Sequence, residues 1–474
     1  MTKALLRTAF VAVIFIVVWA ALYLWWRSTW HQPSHRELVL CGIALPIALT
    51  IGLAVARQLL RRPPATGQPV PPAAVASAST AACADPARKL TAALIDSSVR
   101  MPAGATTAEI VTATQAGRAV ALHPDLERPD GTGVFAASVP SLSLARFDAG
   151  LLVADANETL RDEHRRALLL AADVLDELLE RHAALMVSAH DAKPLSLHVL
   201  VPARWQREAP TLAAWLDAHA ARERVPPGLT PAQVHIAANP VQACAVVDEI
   251  VQALHLEARS GLHVVLAFDS CATQQAVDAL VRAGQLYGHD RPDGQVPGEG
   301  ACVLLLAHPD ALLAARAPRI SRLAATRQTG IAHEGTDEPN APGDALEKVH
   351  TQSVARQPDV APYGLVSDAD QRNATRKEIV TLAERLWQDE AQARSHHLGI
   401  ANGTSSPALA LATLAVAAER VNATHQPILA ALLGDAHARG AMLVVPADSL
   451  QPTVAGQAPR VLAEASEQSA ASAA

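Results

Sequence analysis

Aromatic side chains make up only 3% of this 474-residue chain, although half of its residues are hydrophobic. Ala, Leu and Val therefore carry the apolar surface, which suits helices on buried strands and speaks against an aromatic-rich β-sandwich. Positive charge is not in excess either: 39 Lys and Arg stand against 46 Asp and Glu, a net charge of −7. With no basic field, and no Lys/Arg interleaved with base-stacking aromatics, nucleic acid is not an expected partner. Cysteine is sparse: Cys41, Cys83, Cys244, Cys271 and Cys302 are odd in number, widely spaced and form no CxxC. That argues against a zinc site or a disulfide framework and fits a reducing compartment. The sharpest chemical motifs are missing too, since the chain has no GxxxxGK[ST], GxGxxG, GxSxG or HExxH. The adjacent pair His396–His397 lacks the carboxylate or thiol that would complete a metal site, so neither metal nor cofactor is expected.

What the chain does have, first, is two uncharged apolar runs, Thr8 to Trp26 and Leu38 to Ala56. Each reaches the roughly 20 residues needed to cross a bilayer as a helix. Tyr23, Trp25, Trp26 and Trp30 cluster where the first run ends, at headgroup depth. Lys3 and Arg7 precede the pair, and Arg57, Arg61 and Arg62 follow it, with only Arg27 and Arg36 between. The positive-inside rule then places both ends, and the soluble region, on the cytoplasmic side. The expected location is a bacterial inner membrane, entered through residues 8–56.

Residues 1–62 are thus read as the anchor, and 63–88, rich in Pro, Ala, Ser and Thr, as a linker. A globular region over 89–459 and a disordered tail over 460–474 complete the expected organisation. Within the globular region, apolar strand-like runs alternate with helical ones. Strands are expected at Gly150–Ala154, Leu195–Val201, Val234–Ala238, His263–Phe268, Cys302–Ala307, Tyr363–Ser367, Pro427–Leu433 and Met442–Val445. Helices are expected between them, one capped by Asn157, others over 212–221, 243–258 and 277–283. The alternation predicts an α/β fold with mostly parallel sheets. The stretch 317–362 breaks the rhythm and is expected to be irregular.

The most informative segment runs from His263 to Ala307. A strand ends in Asp269–Ser270, a helix follows, and a turn-rich loop reaches Gly298-Glu299-Gly300-Ala301 before a second apolar strand. Asp293-Gly294 followed by that GEGA tetrad resembles the β-ketoacyl synthases, with Gln295 in place of their Phe. Three further echoes fall in order: Ala243-Cys244 at the expected head of a helix, YGLVSDADQRNATRKE from Tyr363, and His396-His397-Leu398-Gly399 with Gly403. The resemblance implies a thiolase-like layered α/β domain, either two pseudo-repeats or one repeat with a divergent first half. It also implies a homodimer as one possible assembly.

For activity the resemblance implies a Cys thiolate at a helix N-terminus plus two histidines. Cys244 and His396 are the candidates for the first two, and a third has no counterpart: Ser367-Asp368-Ala369-Asp370 stands where that histidine belongs. Cys244 reads more readily as a small buried core residue, since free Cys is among the most buried residue types. Three functions stay open. One is a non-catalytic, membrane-anchored protein that holds a partner, its layout resembling the type VI secretion lipase adapters, whose partners are a lipase effector and a secretion spike component. The second is an acyl-transfer enzyme using Cys244 and His396. The third is a structural component of a membrane complex.

Overall fold

The computed structural model describes residues 90–450 apart from 141, 153–157, 188–194, 223–228, 257–260, 328–343 and 358–359. The apolar runs 8–26 and 38–56, the linker 63–88, the tail 460–474 and Asn157 lie outside the described residues. Among the described residues no helix is long and apolar enough to cross a membrane.

In chain order the strands are β1 (Thr91–Arg100), β2 (Leu122–Glu127), β3 (Gly133–Phe135), β4 (Leu195–Pro202), β5 (Gln233–Ala237), β6 (Leu262–Ser270) and β7 (Glu299–Ala307). There follow β8 (Arg319–Ser321), β9 (Ala324–Arg327), β10 (Gly364–Ser367), β11 (Ser395–His397), β12 (Ile428–Leu432) and β13 (Ala438–Val445). The longer helices are α1 (Thr107–Gln115), α2 (Asp162–Val187), α3 (Ala209–Arg222), α4 (Pro240–Leu256), α5 (Gln274–Arg282), α6 (Asp344–Arg356), α7 (Asn373–Trp387) and α8 (Ser406–Thr424).

Neighbouring strands follow the path β11-β10-β12-β13-β8-β1-β7-β6-β4-β5, with β9 beside β13. The order repeats: counting strands within each half, both halves read third, second, fourth, fifth, first, if β9 is taken with β8. β1 and β8 join the halves antiparallel. β4 runs parallel to β5 and β6, and β10 to β11 and β12. The remaining pairs of this sheet, β6/β7 and β12/β13 among them, are antiparallel. The sheet is therefore mixed, which corrects the expectation of mostly parallel pairing. The reason is local, since β7 returns beside β6 with no crossover helix covering the sheet between them.

Three apolar clusters show the layering. One face of the first half, through Val199, Leu266 and Val303, packs on α2 and α3. One face of the second half, through Leu365, Leu429 and Leu443, packs on α6 and α7. The opposite faces of both halves close on the same two helices, α4 and α8. Five layers result, helix–sheet–helix–sheet–helix. Alternate residues of β7 serve different faces, Cys302, Leu304 and Leu306 inward and Val303 and Leu305 outward, as the pleat demands. α8 is buried nearly all round, as an Ala/Leu-rich helix between two sheets must be.

Three expectations need correction. Where a strand over Gly150–Ala154 is expected, Ala149–Leu151 is a single 3-10 turn, because the Asp148 side chain accepts from Gly150 N at 2.8 Å and bends the chain; 153–154 lie outside the described residues. The irregular stretch 317–362 contains β8, β9 and α6. The GEGA tetrad is not a loop: Glu299 opens β7, opposite Ser270, and Gly300 lies opposite Asp269.

Candidate functional site

α4 begins at Pro240, one turn before the expected start at 243. The Asn239 side chain accepts from Gln242 N at 2.9 Å, and Gln242 Oε1 accepts from Ala238 N at 2.8 Å, a reciprocal cap with Pro240 opening the helix. The residue at the helix head is thus Pro240. Cys244 stands a turn further in, 0% exposed, in the core between the two sheets. Burial, then the nearby Asp368 and Asp248 carboxylates, push its thiol well above the usual range. Such a thiol stays protonated and unreactive.

Opposite Pro240 the chain leaves β10 through Asp368-Ala369-Asp370. Asp368, 1% exposed, accepts from Leu433 N at 2.5 Å and Gly434 N at 3.1 Å. Burial pushes its carboxyl up to about 6, with the two backbone donors pulling the other way. Asp370 accepts from Arg372 Nε at 2.9 Å and from Thr375 Oγ1 at 3.3 Å. Pro240, both aspartates, Thr404, Ser405, Ser406 and Gly434 line a cavity of about 20 Å³. That is room for one water-sized group and far too little for an acyl chain.

No hydrogen bond joins His396 to Cys244 among the described residues. Its Nδ1 lies 3.3 Å from Thr114 Oγ1, and its Nε2 is buried with no hydrogen-bond partner among the described residues. His397 Nδ1 lies 2.8 Å from Ser367 Oγ instead. Burial holds both rings down at about 4, so they are neutral near pH 7. Among the described residues no group of three His, Cys, Asp or Glu could hold a metal ion.

The motif residues do meet. A backbone bridge joins Pro297 to Thr404, and Thr404 N donates to Val296 O at 2.8 Å. A Cβ at Gly298 would stand 2.3 Å from the Asn402 carbonyl oxygen, so only glycine allows that approach. Gly403, at φ +65°, closes the other side. A Cβ at Gly294 or Gly399 would also meet backbone, of Leu286–Tyr287 and of Asp368, whereas one at Gly300 would meet the Met101 sulfur first. Asp293 accepts from Asn373 N at 3.3 Å. Glu299 is fully buried and saturated: Arg166 donates at 2.8 and 2.6 Å, Ser270 Oγ at 2.9 Å and Val139 N at 2.7 Å. Beside it Arg204 pairs with Asp269.

Two opposite linkages set the response to pH. Burial lowers His164 to about 3 and His198, His396 and His397 to about 4, from 6.5. Their stabilising share is complete above pH 6.5 and is lost as pH falls toward 4. Asp368, raised from 3.8 to about 6, contributes below 3.8 and loses that share as pH rises through 6. We expect urea unfolding to show stability falling by up to about 2 kcal/mol per histidine between pH 7 and 5. Asp368→Asn, which removes the opposing share, should steepen that loss. A flat profile, or a shallower one in the variant, would show the signs to be wrong.

No protein-family model and no curated protein matches the chain. Solved structures do. The ishigamide ketosynthase/chain length factor aligns at a TM-score of 0.52 and 16% identity, over 75% of this chain and 99% of that one. The oxazolomycin ketosynthase domain of Streptomyces albus aligns at 0.52 and 13%, over 77% and 75%. The ketosynthase from module 6 of the Bacillus subtilis bacillaene synthase aligns at 0.53 and 13%, over 76% and 72%. At such identities the likeness speaks of fold alone. Repeated strand order, five layers and these likenesses together give one result: the chain has a thiolase-like, ketosynthase-like fold.

Proposed function

We propose that the chain is a membrane-tethered, non-catalytic ketosynthase-like protein that holds a partner protein at the cytoplasmic face of a bacterial inner membrane. The observation that carries this reading is at the head of α4, where Pro240 occupies the place a nucleophilic thiol needs. Cys244 lies in the core a turn away, and the space around Pro240 is about 20 Å³. Residues that act as a catalytic unit lose most of the rate when one is missing. The layout of anchor, linker and single large domain supports a partner of one kind, a lipase effector handed to a type VI secretion system.

The test uses the tagged full chain in detergent, as wild type and as Cys244→Ala. Near-stoichiometric co-purification of the lipase effector with both forms is the expected result. Turnover of an acyl thioester that Cys244→Ala abolishes would overturn the reading in favour of acyl transfer by Cys244 and His396.

A further inference from the structure

The end of the domain at which the chain enters carries two exposed leucines, Leu256 and Leu313. β1 starts there at Thr91. His255 Nε2, near the end of α4, donates to the Thr91 carbonyl at 2.8 Å. Its Nδ1 must then accept, and His308 Nε2, just past β7, lies 3.3 Å from it. His308 Nδ1 in turn accepts from Asp310 N at 3.1 Å. This chain of hydrogen bonds fixes the last turn of α4 and the turn after β7 around the entry point.

Each of those two segments presents a leucine. Leu256, the residue after His255, is 85% exposed, more than any other large hydrophobic among the described residues. Leu313 is 41% exposed on the one-turn helix Leu312–Ala314, whose Ala314 packs on Ala93 of β1. Arg316 follows, exposed. A lone exposed leucine means little, but two flanking the entry of the chain, beside a cation, make an interfacial pattern.

What approaches this end favours a lipid surface as occupant. The sequence before Leu90 ends in Arg88-Lys89, and the second apolar run ends at Ala56 with Arg57, Arg61 and Arg62 behind it. Only 33 residues, 57 to 89, separate the second apolar run from Leu90, so the chain between them can reach at most about 120 Å. On the anchor reading of residues 8–56, such a tether keeps the domain near the bilayer, which favours contact through two leucines and a few cations.

We propose that this end of the domain docks on the membrane that anchors the chain, with Leu256 and Leu313 entering the headgroup–acyl boundary and Arg316 meeting anionic headgroups. The proposal rests on the anchor reading of residues 8–56, and the experiment separates the two. The full chain, with Cys41→Ala, Cys83→Ser and Cys271→Ser, is given Leu256→Cys or Leu313→Cys and an environment-sensitive fluorophore at that thiol. Ala105→Cys, exposed beside the far end of β1, is the control. Each form is reconstituted into phosphatidylcholine vesicles with and without phosphatidylglycerol, containing lipid spin-labelled near the headgroup.

We expect blue-shifted emission at 256 and 313, quenched by about half or more, deeper with phosphatidylglycerol, and no change at 105. If the chain floats with the vesicles but 256 and 313 are no more quenched than 105, the docking surface falls and the anchor stands. A blue shift at 256 and 313 without lipid quenching means that protein covers the patch, which also overturns the proposal. If the chain does not float with the vesicles at all, the anchor reading falls and the docking surface with it.

Discussion

Replacing Glu299 by alanine should lower the free energy of unfolding by about 3–5 kcal/mol, the cost of breaking a buried ion pair from one side. The carboxylate is fully buried and takes four hydrogen bonds: two from Arg166, one from Ser270 and one from the backbone of Val139. Its removal leaves the Arg166 guanidinium, itself only 17% exposed, without its counter-charge. It also strands a hydroxyl and a backbone N–H, each costing a further penalty. Since Glu299 opens β7 while Ser270 closes β6, the loss falls where two central strands meet the loop that carries Val139. Glu299→Gln keeps the shape and some of the hydrogen bonds and should lose markedly less. The pair replaced on both sides, Arg166→Met with Glu299→Met, should cost less than Glu299→Ala alone, because no charge is left unpaired. Urea unfolding of the three variants decides the matter. A loss below about 1 kcal/mol for Glu299→Ala would mean that the buried pair contributes nothing net.

The same residues explain what could be read from the sequence. Runs such as HVVLAF and CVLLLA announce themselves because strands buried on both faces need apolar residues at every position, and β6 and β7 are such strands. β1 is as central, yet its sequence carries no such run. Its sequence TAALIDSSVR mixes small apolar residues with Asp96, Ser97 and Ser98, and its register shifts between Leu94 and Asp96. Asp96 turns outward to His182 and Arg181, so polar residues sit in a central strand without a core penalty. β8 is short, and its pairing with β1 is set by tertiary packing, which periodicity cannot report.

For the candidate site, the motif glycines and Glu299 were legible, whereas the place of the thiol was not. The signal was present, however: Asn239-Pro240 with Gln242 is an N-cap, first-turn proline and capping partner in sequence. It fixes the start of α4 at Pro240 and sends Cys244 one turn into the core. In sequence Asp368 stands out only as a departure from a histidine. Its burial and its two backbone donors come from the turn at Leu433–Gly434, 65 residues away, which no local pattern links to it.

Gly298→Ala should be nearly as damaging as Glu299→Ala, at about 3 kcal/mol, the upper range for an overpacked site. The added Cβ would lie 2.3 Å from the Asn402 carbonyl oxygen and 3.0 Å from Gly403 C and Thr404 N. All three neighbours are backbone, so no side chain can swing aside, and close packing transmits the displacement. The Asn402 side chain is committed as well, accepting from Ala103 N at 2.9 Å and donating to Leu398 O at 2.9 Å. The strain must therefore separate the Pro297–Thr404 bridge, loosening the segment that feeds α8 and with it the helix shared by both sheets. Gly131→Ala makes the contrast: there φ is +80° but a Cβ meets nothing within 4 Å, so only the backbone term of about 1 kcal/mol applies. Thermal and urea unfolding of the two variants should separate them clearly. Equal losses would show that backbone conformation, and not the contact between the two motif segments, is what glycine provides at Gly298.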